Sequence, residues 1–257
     1  MKKNYIQKLS DNTMHNQKSY YQDCLNINAH TSVPWQQIIL KEFLQQIILP
    51  NDTRVLDVGA GVGNNVASLK HFFKEAFFLD ISPNALRVLK TRHVKEGINL
   101  RTVVASADRM PFQSDFFDLV ICTEVLEHCE NINRTIKECL RVLRPGGYII
   151  ISSPNYFNFA GIVKIWHEKF KKGVWDAWGN HSEGIENILT AFTLHSLMRK
   201  NNIKIISTRG GDCIRSWLPF FRKHYIFIDK HPCLKIGQIP FFQYFLMNCF
   251  ILGRKSK

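Results

Sequence analysis

The chain has 257 residues, 45% of them hydrophobic and 21% charged, with a formal net charge of +13. That length holds one sizeable α/β domain with insertions, and the composition is that of a folded soluble protein rather than a disordered or fibrous one. Residues 1–150 carry 18 Lys and Arg against 15 Asp and Glu, whereas residues 151–257 carry 16 against 6, a net +10, so the second half favours an anionic partner: nucleic acid, anionic lipid or a phosphorylated substrate.

Residues 1 to about 30 read as a polar, loosely ordered lead-in. The start is basic but has no apolar core, so no secretory signal is expected. The longest nearly apolar run, Ile239 to Leu252, falls short of the ~20 residues of a spanning helix and is interrupted by Gln243 and Asn248. No transmembrane helix is expected. Seven cysteines without a CxxC pair read as free thiols in a reducing cytoplasm.

Val33 to Leu49 has helical periodicity and stops at Pro50. Strand and helix patterns then alternate. Arg54–Val58 is strand-like, Asn65–Phe73 helical and Ala76–Asp80 strand-like. Pro83 opens a helix that Gly97 closes. Leu100–Val104 and Phe117–Cys122 are strand-like, and Ile132–Leu143 is helical up to Pro145-Gly146-Gly147. Tyr148–Ser152 is a strand, Leu194–Asn201 a helix and Ile203–Thr208 a strand, with Phe245–Gly253 as a last strand. Short buried strands alternating with helices predict a parallel sheet covered on both faces. The division expected is a lead-in and helix over 1–50 and one domain over 51–257. Its irregular stretches 154–190 and 210–244 are expected to form lid-like insertions over the strand C-termini, where open α/β sheets bind ligands.

The stretch VLDVGAGVGNNVASLK, Val55 to Lys70, places a glycine turn between a strand and a helix. Such a turn lets backbone N–H groups approach a ligand. The dinucleotide fingerprint G-x-G-x-x-G is not met, because the third glycine comes one residue early, and the phosphate loop G-x-x-x-x-G-K-[ST] is absent. Asp57, two residues before the first glycine, would repel a pyrophosphate and suits a cationic ligand with an amino group.

Four segments in this order resemble the class I S-adenosylmethionine-dependent methyltransferases: VLDVGAGVG, FFLDISPNAL, ASADRMPFQSDFFDLVICTEVLEH and ECLRVLRPGGYIIISSPN. The resemblance covers roughly Asp52 to Thr208. It implies a Rossmann-like, mostly parallel seven-stranded sheet whose last strand is antiparallel, with helices on both faces. It also implies S-adenosyl-L-methionine as cofactor. Carried over residue by residue, Asp57 would anchor the cofactor's ammonium end, and Gly59, Ala60, Gly61 and Gly63 would form the turn against it. Asp80 would accept the two ribose hydroxyls. Ile81 would pack on the adenine, Asp108 would accept from its amine, and Ala107 and Arg109 would add backbone contacts. Thr123 and Glu124 would border the methyl group. Plainer readings stand beside these. The glycines suit a tight turn, Asp80 suits a helix cap, and Asp108 suits a loop acid. Arg144-Pro145-Gly146-Gly147 is given no chemistry.

Glu124, Glu127 and His128 fall at i, i+3 and i+4, one face of a helix if the segment is helical. TEVLEH resembles two metal-using branches of the family, the ubiquinone-biosynthesis O-methyltransferases and the small-RNA 2′-O-methyltransferases, in which a Glu-x-x-Glu-His set binds a divalent ion. A cation such as Mg, with His181 completing the set, is one reading. His128 as a metal-free general base with Glu124 beside it is the other, and no metal ligand is assigned. Aromatics (Trp217, Phe220, Phe221, Tyr225, Phe227, Phe241, Phe242, Phe245) interleave with Arg215, Arg222, Lys223, Lys230 and Lys235. This mixture suits a lipid headgroup region or single-stranded RNA, or a lid core with a solvated charged face. Methyl transfer to a small or lipid-like, anionic acceptor, with oxygen favoured as the receiving atom, is the expectation. The protein would then be cytoplasmic with peripheral contact at the inner membrane surface. An RNA methyltransferase and a non-catalytic cofactor-binding protein are the alternatives.

Overall fold

A computed structural model describes residues 34–50, 52–95, 97–171, 187–211 and 236–256. Its elements are α1 (Pro34–Leu44), β1 (Val55–Val58), α2 (Val66–Leu69), β2 (Glu75–Asp80), α3 (Pro83–His93), β3 (Asn99–Val104), β4 (Phe117–Thr123), α4 (Ile132–Val142), β5 (Leu143–Pro154), α5 (Phe159–Lys171), α6 (Ala191–Lys200), β6 (Ile203–Gly211) and β7 (Asn248–Lys255). The seven strands form one sheet in the order β3-β2-β1-β4-β5-β7-β6. Neighbours from β3 to β5 are parallel, and β7 runs antiparallel to both β5 and β6.

Side-chain alternation along the strands builds two cores. Leu56 and Val58 of β1, Val120 and Cys122 of β4, and Ile149 and Ile151 of β5 pack with Ile136 and Cys139 of α4 and with Leu194 and Met198 of α6. Val55, Leu119, Ile121 and Ile150 point the other way, onto Ile39 and Phe43 of α1, Val66 and Leu69 of α2, and Leu86 and Leu89 of α3. Helices therefore cover both faces, as the short apolar strands predict. Chain order reverses between β1 and β4, which opens the crevice where such sheets bind ligands.

Several boundaries differ from those read in the sequence. The Asn65–Phe73 helix contracts to the single turn Val66–Leu69. Phe242–Phe245 is a 3₁₀ turn, so the last strand starts at Asn248. Pro145-Gly146-Gly147 does not separate helix from strand. Strand β5 begins at Leu143 and carries the glycines across a register shift opposite β4. Helix α5 lies in a stretch read as irregular. Among the described residues no helix is long and apolar enough to cross a membrane. Residues 1–33 and 212–235, His181 and Lys172 lie outside the described residues, and with them the lead-in and most of the basic and aromatic segment.

Candidate functional site

The glycine turn leaves β1 through three left-handed residues, Gly59, Gly61 and Gly63, with φ of +67°, +53° and +88°. Space treats them unequally. A Cβ on Gly59 would overlap Val125, and one on Gly63 would lie 2.8 Å from Leu89 and 2.9 Å from His93. A Cβ on Gly61 would meet nothing within 4 Å. Two of these glycines are demanded by close packing, and the third faces open space. Asp80, at the end of β2, holds the turn: its Oδ2 accepts the Gly61 N–H at 2.8 Å and its Oδ1 accepts the Ser82 N–H at 2.8 Å. The Ile81 N–H donates to this carboxylate as well, which leaves it about one acceptor position of roughly four. Burial pushes the Asp80 carboxyl up, against these backbone bonds.

Asp57 is 1% exposed. Its Oδ1 accepts Asn65 Nδ2 at 3.0 Å, while its buried Oδ2 has no hydrogen-bond partner among the described residues. Burial raises this carboxyl to about 7, opposed by the Asn65 bond and assisted by the nearby Asp80. A buried acceptor left without a partner fits the cationic end of a ligand, since leaving it unsatisfied costs about 1–3 kcal/mol. S-adenosylmethionine has an ammonium group and two ribose hydroxyls, so the Asp57 and Asp80 carboxylates fit that cofactor by chemistry.

On the other side of the crevice the loop after β3 is pinned from α4. Arg141 bonds Glu138 and donates to the Phe112 carbonyl at 2.7 Å and the Met110 carbonyl at 3.0 Å, and Glu138 accepts the Met110 N–H at 2.9 Å. Ala107 and Asp108 are half-buried in this loop and Arg109 is exposed. The Asp108 carboxylate accepts from Ser106 at 2.7 Å and lies 3.6 Å from the Arg134 guanidinium. Ile81 and Ala107 complete a half-buried row along the strand ends.

Thr123 ends β4. Its hydroxyl accepts the same Asn65 amide at 3.2 Å, so one side chain links the turn acid to the opposite wall. Glu124 follows with φ of +55°, a conformation that costs a non-glycine residue about 1 kcal/mol and tends to mark a functional constraint. The strain is held by a network: Glu124 N–H donates to the Ser152 hydroxyl at 3.1 Å, that hydroxyl donates to Glu124 Oε1 at 2.6 Å, and Asn248 Nδ2 donates to Oε2 at 2.7 Å. Burial lifts this carboxyl to about 7 despite the two side-chain bonds.

The segment after Glu124 is not an α-helix. Only Leu126–His128 turns, as 3₁₀, so Glu124, Glu127 and His128 do not share one helical face. Glu127 is buried, and its Oε1 lies 3.8 Å from His128 Nε2. Among the described residues no three His, Cys, Asp or Glu side chains are grouped to hold a metal ion.

Four residues shape this end of the crevice without having been singled out in the sequence. Asn187 donates to the carbonyls of Glu127 and Cys129 at 3.2 and 2.7 Å, clamping the 3₁₀ turn. Asn155, fully buried, donates to the Tyr244 and Leu246 carbonyls at 2.9 and 2.7 Å and accepts from Phe157 and Ala191 N–H at 3.2 and 3.0 Å. Ser152 and Asn248 hold Glu124. Their partners are distant in sequence; the one local signal is the polar pair at 152 and 155 ending an apolar strand. Above them lies an aromatic rim in which Phe157 meets Phe192 and Phe245 edge-on or tilted, and Phe192 stacks on Tyr244.

Residues 56–151 match the model of a methyltransferase domain family. A malonyl-[acyl-carrier protein] O-methyltransferase of Methylococcus capsulatus is 35% identical over 46% of this chain and 43% of its own length. A ubiquinone biosynthesis O-methyltransferase of Xanthomonas axonopodis pv. citri is 30% identical over 44% of this chain and 48% of its own. The chain thus spans less than half the length of these curated relatives. Among solved structures, an S-adenosylmethionine-dependent methyltransferase of Methanosarcina mazei superposes with a TM-score of 0.60 at 20% identity, over 83% of this chain and 97% of that one.

Proposed function

We propose that the chain is a class I S-adenosylmethionine-dependent methyltransferase that transfers a methyl group to a hydroxyl of a small or lipid-like, anionic acceptor. The observations that carry the cofactor reading are the buried Oδ2 of Asp57, without a hydrogen-bond partner among the described residues, and the space in front of Gly61 in the turn that follows it. In this reading Asp57 takes the ammonium group and Asp80 the ribose hydroxyls. Gly59, Ala60, Gly61 and Gly63 bring the backbone close. Ile81 packs on the adenine, Asp108 accepts from its amine, and Ala107 and Arg109 add backbone contacts. Thr123 and Glu124 face the methyl end.

The cofactor supplies an electrophilic methyl on a sulfonium. The protein's work is orientation and removal of the acceptor proton. The acceptor oxygen forms the new bond to carbon, the sulfonium sulfur keeps the electron pair of the bond that breaks, and the acceptor proton passes to a base. Glu124 suits that task because its carboxyl titrates near 7 and sits at the strand end. His128 is the second base in reach of the same turn. Support for an oxygen acceptor comes from the relatives that are O-methyltransferases by name. Support for a lipid-like acceptor comes from the aromatic rim and from the basic second half. The place of action in this reading is the cytoplasmic side of a membrane.

The test uses purified protein and methyl-labelled cofactor against a total cell extract, partitioned into organic, aqueous and RNA fractions, with and without chelator. Label in the organic fraction is expected, unchanged by chelator. Label in RNA would replace the acceptor assignment, and chelator sensitivity would return a metal to Glu124, Glu127 and His128.

A further inference from the structure

Helix α5 is inside out. It has 13 residues, about 20 Å of helix. The side chains it turns inward are Ala160, Gly161 and Lys164, all buried. Gly161 is required there: a Cβ would lie 2.2 Å from the Tyr156 carbonyl oxygen. Those it turns outward are Phe159, Ile162, Ile165, Trp166 and Phe170, with exposures of 42, 61, 37, 51 and 66%. At 100° per residue these five fall within an arc of about 140°. The polarity of an ordinary surface helix is reversed, with a lysine hidden and the large apolar side chains shown. Just before the helix, exposed Phe157 packs on exposed Phe192 and on Phe245, which in turn meets exposed Phe241 and, through it, Phe242. An exposed apolar area of this extent marks an interaction surface.

We propose that the outward face of α5, with Phe241 and Phe242, docks onto the headgroup region of an anionic lipid bilayer and holds the mouth of the acceptor site against it. The proposal rests on the lipid-like acceptor reading and names the surface through which that acceptor is reached. Charge selects the occupant. The half of the chain that contains this face carries a net +10, which draws an anionic surface and sets two copies of the chain against each other. Side-chain type agrees: Phe, Trp and Ile on one face of a short helix suit the depth of the headgroup and acyl boundary, where they bury apolar area. Position agrees as well. Phe157, which leads into α5, packs on Phe245 and Phe192 over Asn155, the same end of the sheet at which Glu124 is held.

The test is flotation of the full chain with phosphatidylcholine vesicles with and without phosphatidylglycerol, in low and high salt, beside the double variant Ile162→Asp/Ile165→Asp. Both positions are exposed, so thermal stability and S-adenosylmethionine affinity are expected to stay at the wild-type values. The wild type is expected to float with the anionic vesicles and to lose most of that binding in salt or on neutral lipid. The double variant is expected to bind at least about tenfold more weakly. Failure of the wild type to float, or equal flotation of the variant, overturns the proposal. A wild-type dimer in light scattering that the variant splits also overturns it and assigns the face to a second copy. Flotation is read without any acceptor. Docking without transfer to lipid-linked acceptors would therefore sink the acceptor reading alone, and transfer without docking would sink this one alone.

Discussion

Gly61 and Gly63 separate the cost of a turn from the cost of a ligand. Both have left-handed φ, so an alanine at either site carries about 1 kcal/mol of backbone strain. At Gly63 the added methyl also meets Leu89 at 2.8 Å and His93 at 2.9 Å, inside a packed core, which adds about 1–3 kcal/mol. At Gly61 it meets nothing. Gly61→Ala is expected to lower the melting temperature by only about 2–4 °C, and Gly63→Ala by about 5–15 °C. Cofactor affinity is expected to rank in the opposite sense. The methyl on Gly61 occupies the space assigned to the cofactor and should weaken binding by about 10²-fold or more, measured by calorimetric titration with S-adenosylhomocysteine. Folded Gly63→Ala, assayed well below its melting temperature, should lose less. Wild-type affinity in Gly61→Ala would refute the assignment of that space to the cofactor, and with it the reason for the third glycine.

Asp57 and Glu124 each have a folded pKa raised to about 7 from 3.8 and 4.5. The folded state therefore binds more protons than the unfolded one between those values, and apoprotein stability should fall as pH rises from about 4 to about 7 and level off above; Asp57→Asn should flatten part of that slope, melt higher at pH 8 and bind cofactor poorly. Asn65→Ala removes the bond that favours ionised Asp57, so cofactor affinity should drop about 10–100-fold near neutral pH and recover in part as pH is raised. If Glu124 is the base, Glu124→Gln should lower kcat by about 10²–10⁴-fold and abolish the acid limb near 7 in the pH–rate profile, while His128→Gln keeps that limb; the reverse pattern would give the role to His128. Asn155→Ala strips four hydrogen bonds from a buried loop junction and should cost about 3–4 kcal/mol, near 10 °C in melting temperature.

The turn proposed to hold the cofactor was legible in the sequence because it is local. Asp57, Gly59, Gly61 and Gly63 lie within seven residues, and the fold needs only β1 and the start of α2 to present them. Asp80 is read the same way, as an acid ending an apolar strand. What could not be read is how these residues hold one another. Asn65 looks like an ordinary helix-start residue, yet its side chain spans from Asp57 to Thr123, 58 positions away. The α-helical face expected for Glu124, Glu127 and His128 failed for a related reason. Periodicity assumes regular backbone, and here Glu124 takes a left-handed conformation that local sequence disfavours and that only Ser152 and Asn248 secure.

The acceptor half shows the same physics in stronger form. Its polar groups come from the ends of β5 and β7 and from the segment before α6, so all but one of these hydrogen bonds, the local Phe157-to-Asn155 bond, close a loop of tens of residues or more. Buried carboxamides suit that work because each presents donors and an acceptor without the desolvation cost of a charge. Asn155 meets backbone groups from three segments at once, and Asn187 meets three carbonyls of one turn. A wall fixed by neutral crosslinks can hold an ionisable group such as Glu124 at a pKa set mainly by burial. In the proposed mechanism that division would let the aromatic rim above it serve the acceptor while the carboxylate that takes the proton stays in place. In the same proposal helix α5 belongs to the part that serves the acceptor. Its inverted polarity, with a glycine, an alanine and a lysine buried and large apolar side chains exposed, would acquire a use if the acceptor comes from a lipid surface, as proposed.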